Sequence, residues 1–175
     1  MAEHQGRSNR FEEQAFRVDM RAAIGVAQVE ASNRGSSTIE AEHLLLGFLF
    51  DRTTPATQAL AAAGLTYETF DAALRAEREQ TLAAIGIQLP DPSRLVATRP
   101  PARQQRFGAS SREIWENGMR SFRSRRGRSQ RPTPTDFVSA ILATELGTVP
   151  RALVHAGLDR TALLAALGTA AAAPS

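Results

Sequence analysis

The stretch Ser37-Thr38-Ile39-Glu40-Ala41-Glu42-His43-Leu44-Leu45-Leu46-Gly47-Phe48-Leu49-Phe50 decides how this chain folds. From Glu42 onward it is apolar nearly all the way round, the pattern of a central helix buried on every side. Ser37 or Thr38 is placed to cap it, with a side-chain oxygen for a leading amide. Upstream, Phe16, Met20, Ala23, Ile24, Ala27 and Ala31 recur at spacings of three and four, so a first helix begins near Phe11. A polar tail over residues 1–10 precedes it. Asn33-Arg34-Gly35-Ser36-Ser37 breaks it, with Gly35 suited to the left-handed position after the last turn.

Downstream, Thr54-Pro55 supplies an N-cap followed by proline at the first helical position, and Gly64 closes a short third helix. Thr66 opens a fourth helix carrying Phe70, Ala73, Leu74 and Leu82. This first unit spans 11–85. The stretch from Leu89-Pro90-Asp91-Pro92 to Arg99-Pro100-Pro101 has no apolar period and reads as a linker over 86–106.

The pattern then starts again over 107–168, before a short tail at 169–175. Ile114, Trp115, Gly118, Met119 and Phe122 trace a helix that Gly127 ends. Pro132 and Pro134 lead into a helix with Phe137, Val138, Ile141 and Leu142. Thr148 and Pro150 repeat the Thr-Pro opening, and Gly157 repeats the stop. Ala59-Leu60-x-x-Ala63-Gly64-Leu65 matches Ala152-Leu153-x-x-Ala156-Gly157-Leu158 at a constant offset of 93. The same offset pairs Phe70 with Leu163, Ala73 with Ala166 and Leu74 with Leu167. The expected fold is all-α, a four-helix unit occurring twice.

Composition narrows the chemistry. With 42% hydrophobic residues over 175 positions, the chain has ample material for a core. It lacks cysteine, which removes disulfides, thiolate metal sites and a cysteine nucleophile. All 21 basic residues are arginine. A Walker-type phosphate loop and Schiff-base chemistry both need a lysine, so both are excluded. No window is long and apolar enough for a bilayer, and the polar start is no secretion signal. The expectation is a soluble, cytoplasmic protein without a membrane partner. Residues 1–90 carry 8 Arg against 12 acids, and residues 91–175 carry 13 Arg against 6. The front half is therefore acidic and the back half basic.

Ser37 to Gly47 resembles the "(I/V)GTEHLLLGLL" segment of the amino-terminal domains of Clp-type unfoldases. Phe16 to Gly35, with its Ala27-Gln28-x-Glu30-Ala31 core, is similar to that family's first helix. Ala59-Leu60 to Leu65 resembles its "VLxxLGV" segment. The likeness covers residues 11–84 well and 107–168 more loosely. It implies two pseudo-twofold-related four-helix repeats. It also implies a non-catalytic module that binds Clp substrates, adaptors, arginine-phosphorylated proteins or cyclic-peptide ligands. Because no nucleotide-binding module follows before Ser175, the resemblance points to the stand-alone actinobacterial type, which would sequester ligands and so modulate or shield the Clp protease.

Under that resemblance Glu42 matches the glutamate that engages the guanidinium of a phosphoarginine, pairing with its nitrogen fork. The plainer alternative is a first-turn acid favoured by the helix dipole. Thr135-Asp136-Phe137-Val138 stands where the second repeat would carry Thr-Glu-His-Leu, which makes Asp136 the matching acid on a shorter arm. Phe107 matches the aromatic that opens the second repeat. With Phe11 and Phe16 it is placed to line the groove where the family's cyclic peptides bind, or else to staple a helix to the core. His43 reads as a partly buried, hydrogen-bonded helix residue, since only His4 and His155 remain as further imidazole ligands. No cofactor, metal site or catalytic set is expected.

One stretch stands apart from the resemblance. Arg120, Arg123, Arg125, Arg126, Arg128 and Arg131 place six arginines in twelve residues. They form an anion patch suited to an acidic partner or to the chain's own acidic half. Nucleic-acid binding is the alternative function, with only Phe122 available for base stacking.

Overall fold

The computed structural model describes residues 19–87, 105–126 and 133–172, with the side chains of 121–126 and of residue 172 excepted. Helix α1 covers residues 19–33 of that range. It is followed by β1 (Thr38–Ile39), α2 (Ala41–Phe50), α3 (Pro55–Ala62), α4 (Tyr67–Ala84) and β2 (Arg106–Phe107). Then come α5 (Ala109–Arg126), α6 (Pro134–Leu142), α7 (Thr148–His155) and α8 (Arg160–Ala172). The fold is all-α apart from the two short parallel strands, which pair Thr38 with Arg106 and Ile39 with Phe107.

Helix α2 lies at the centre. Leu44, Leu45, Leu46, Phe48 and Leu49 are all buried, as its unbroken apolar run requires. At Gly47 α1 crosses too close for any side chain, since a Cβ there would fall 2.1 Å from the Ala23 carbonyl oxygen. The N-cap is Glu40, neither Ser37 nor Thr38. Thr38 is drawn into the ladder instead, and Ser36 Oγ donates to its carbonyl at 2.7 Å. Two of the later caps follow the sequence pattern. Thr54 Oγ1 accepts from Thr57 N–H at 3.1 Å with Pro55 behind it, and Thr66 caps α4. In the second unit Gly147, at φ +112°, caps α7 in place of Thr148, which becomes the first helical residue.

The internal repeat is structural. Pro55–Ala62 and Thr148–His155 begin and end 93 residues apart, and Tyr67 and Arg160, which open α4 and α8, have the same separation. Leu65 N–H closes onto the Leu60 carbonyl at 2.9 Å, and Leu158 N–H onto the Leu153 carbonyl at 2.9 Å. Glycines at φ +89° (Gly64) and +67° (Gly157) make both reversals possible. The units interlock: α4 packs on α7 and α3 on α8, so Leu60, Leu65, Phe70, Leu153, Leu163 and Leu167 share one core. Helix α8 runs on to Ala172, past the boundary at 168, and Arg106 sits in β2 rather than in the linker.

Reciprocal caps lock the two units beside the ladder. The Glu40 carboxylate accepts from Ser110 N–H (3.2 Å) and Ser110 Oγ (2.5 Å) at the start of α5. In return Ser110 Oγ accepts from Ala41 N–H at 2.9 Å, at the start of α2. Ser111 Oγ donates to the Ile39 carbonyl at 2.7 Å. Gly108 makes room, since a Cβ there would lie 1.6 Å from Glu40 Oε1. Burial alone would raise the Glu40 carboxyl, but the bonds from Ser110 and Thr38 outweigh it and hold it below its usual range.

Candidate functional site

A cleft of about 480 Å³ opens where the end of α1 and the start of α2 meet α4 and the first residue of α7. Tyr67, Asp71, Leu74, Arg75 and Arg78 enter it at spacings of three and four, one stripe along α4. Arg34, just past the end of α1, ion-pairs with both Glu30 and Asp71 and so ties α1 to α4. Tyr67 Oη donates to Glu30 Oε1 at 2.7 Å. Burial and that hydrogen bond push the Tyr67 phenol up to about 12. Arg75 pairs with Asp71 from the solvent side, and Arg78 Nη1 reaches the Arg34 carbonyl at 3.4 Å.

Glu42 is the exception in this network. It lies at the second position of α2 and lines the cleft beside His43. Among the described residues, the lining acids Glu30 and Asp71 are taken by arginine, while Glu42 is held only by its own backbone amide. Burial pushes its carboxyl up, with further raising from Glu40 and Glu77 and opposition from the amide and Arg34. Glu77 nearby is satisfied by Arg151 Nε at 2.6 Å and Thr81 Oγ1 at 3.1 Å. A half-buried carboxylate with an open face, rimmed by arginines, can take a cation and hold an anion attached to it.

His43 is 3% exposed, and its Nδ1 accepts Glu40 N–H at 2.9 Å. Burial foremost, with Arg34 adding, brings the imidazole down to about 4. It is neutral, structural and unavailable as a cation. Asp136 does the matching work in the second unit, where its Oδ2 accepts from Thr133 N–H (2.7 Å) and Thr133 Oγ1 (2.8 Å). Both residues stand third in a helix behind an N-cap. The counterpart of Glu42 is therefore Thr135, and the alignment of Asp136 with Glu42 is corrected by one residue. Charge had suggested that alignment; the caps and the offset of 93 rule it out.

The pseudo-twofold relation carries the first cleft onto a second, of about 640 Å³, with a different lining. Thr135 stands for Glu42, Leu164 for Asp71, Gly168 for Arg75 and Ala171 for Arg78. Pro55 at the start of α3 replaces Thr148 at the start of α7.

Phe107, in β2, is 38% exposed and stands with Trp115 (43% exposed) over a crevice of only about 10 Å³ floored by Met20, Ile24 and Ile114. Phe11 and Phe16 lie outside the described residues, as do Arg128 and Arg131. Arg120 is exposed on α5; Arg123, Arg125 and Arg126 belong to that helix, but their side chains are outside the description. Among the described residues, no group of three or more His, Asp or Glu could hold a metal ion. None of their helices is long and apolar enough to cross a membrane. Sequence reasoning missed Arg34, Tyr67, Asp71 and Arg75. The polar stripe on α4 was visible, but its partners come from two other helices.

The family model for the Clp repeat (R) N-terminal domain matches residues 15–103, just over half of the chain. Among solved structures, the N-terminal domain of the caseinolytic protease-associated chaperone ClpD from Arabidopsis thaliana is similar, with a TM-score of 0.58 and 21% identity. That match covers 86% of this chain and 90% of the other. At that identity the likeness shows the fold. No curated protein matches the sequence.

Proposed function

The chain belongs to the Clp repeat N-terminal domain family, and from that premise we propose that it is a non-catalytic, protein-binding module whose main ligand site is the cleft around Glu42. Its ligand is a protein segment presenting a guanidinium with an anion attached, as an arginine-phosphorylated substrate or adaptor does. The observation that carries this reading is the Glu42 carboxylate, left open in a cleft whose other acids are all engaged. A bidentate pair with the guanidinium would satisfy it, and Arg75 and Arg78 on the rim suit the phosphate. By holding ligands that a Clp unfoldase also takes, the module would shield them from the protease. Small cyclic peptides would seat against the exposed faces of Phe107 and Trp115.

The test is fluorescence anisotropy with a labelled arginine-phosphorylated peptide and its unphosphorylated twin. Preference for the phosphopeptide, lost in Glu42→Ala, supports the reading. Equal binding of the two peptides contradicts it.

A further inference from the structure

The second cleft differs from the first in what its lining can recognise. Every charged position of the first cleft on α4 has a small or apolar counterpart on α8, and Glu42 has become Thr135. The floor is Ala23, Phe48, Leu60, Val138 and Leu167, and Phe50 stands 61% exposed at the edge. Anion binding is disfavoured there. Proline at the first position of both α3 and α6 removes one amide from each helix start, and Thr54 and Thr133 receive amides of the following turn.

Among the described residues the charges at the edge have one sign: Asp19 and Asp51 line the cleft and no arginine does. Asp51 accepts from Thr53 N–H and Oγ1, and these bonds hold its carboxyl below the usual range, so it stays ionised. Asp136 also lines the cleft, but it is buried and its Oδ2 is taken up by Thr133. An apolar floor under an acidic edge is complementary to an apolar side chain flanked by cations.

We propose that this cleft is a second binding site, taking a protein segment that buries a large aliphatic or aromatic side chain and carries lysine or arginine beside it. It is independent of the Glu42 cleft, across the pseudo-twofold axis. One chain would thus hold a charge-reading and an apolar-reading site related by the same repeat, suited to different segments of a ligand.

Gly168 provides the test. It lines the cleft, and a Cβ there would meet nothing within 4 Å, so the side chain of Gly168→Leu starts in open space, intrudes on the cleft and improves the helix. The probe is a labelled peptide with a phenylalanine–leucine centre between lysines, which avoids any guanidinium. Its twins carry aspartates in place of the lysines, or alanines at the centre. Binding to the intact chain should fall about tenfold or more in Gly168→Leu and with the alanine twin. It should weaken with the aspartate twin and be unaffected by Glu42→Ala. Asp19→Asn should narrow the gap between the lysine and aspartate peptides. Unchanged affinity in Gly168→Leu overturns the proposal, as does a loss confined to Glu42→Ala, which would put the peptide in the other cleft. A wild-type dimer that Gly168→Leu dissociates would mean a second copy covers the cleft, and overturns it too. None of these outcomes depends on phosphoarginine binding, so the two readings fail separately.

Discussion

His43 and Asp136 are the same residue of the repeat in two chemical forms. Each sits third in its helix and accepts the N-cap amide, through Nδ1 at 2.9 Å in one case and Oδ2 at 2.7 Å in the other. A neutral imidazole and a carboxylate are both acceptors, so the cap survives the exchange. The equivalence also fixes the register that leaves Glu42 as the one acid at its position in either unit.

The His43 cap makes stability depend on pH. The folded imidazole titrates near 4, below the ordinary value of 6.5, because burial disfavours the charged ring and Arg34 adds to that. The unfolded chain therefore binds the proton first. The stabilisation is fully present above pH 6.5 and is lost progressively as pH falls toward 4, by roughly 3 kcal/mol. Urea unfolding between pH 7 and 4 should show this decline, and His43→Gln should flatten it. An equal slope in the variant would assign the effect elsewhere.

Asp136→Ala and Glu42→Ala should separate structure from binding. Losing Asp136 frees Thr133 N–H and should cost about 1 kcal/mol or somewhat more, leaving phosphopeptide affinity unchanged. Glu42→Ala removes a buried carboxylate held only by its own backbone amide, so stability should hold or rise slightly while affinity falls. Thermal melts beside anisotropy check both.

Glycine substitutions should divide sharply. Gly47→Ala must push α2 away from the Ala23 backbone, so it should destabilise by about 1–3 kcal/mol, a fall of several degrees in Tm. Gly168→Ala, in open space on α8, should be neutral or stabilising by up to about 1 kcal/mol. Calorimetry of the two variants tests the close crossing.

Ligand binding at Glu42 should also fade in acid. Burial raises the carboxyl, so protonation sets in at higher pH than for an exposed glutamate and removes the partner of the guanidinium. Affinity measured from pH 7 downward should drop before ordinary carboxylates titrate. In Glu42→Ala the remaining binding should lack that step.

Much of this was legible in the residues, for local reasons. The Leu44–Phe50 run announces a buried helix, Thr54-Pro55 and Thr66 announce helix starts, and Gly64 with Gly157 fixes the offset of the repeat. What escaped was set by distant partners. Thr38 and Ile39 form a strand only because Arg106 and Phe107 lie beside them, which moves the cap to Glu40. The cap on α5 at Ser110 comes from Glu40 in the other unit. Glu42 was visible as a candidate, but its openness depends on Arg34 being spent on Glu30 and Asp71, a fact of three helices together.

The most direct measurement is a heteronuclear NMR titration of the intact chain with an arginine-phosphorylated peptide. Amides of Arg34, Glu42, His43, Asp71 and Arg75 should shift together and saturate, while Thr135, Leu164 and Gly168 stay still. Shifts centred on Thr135 and Gly168, or none that saturate around Glu42, would contradict the assignment of this cleft as the ligand site.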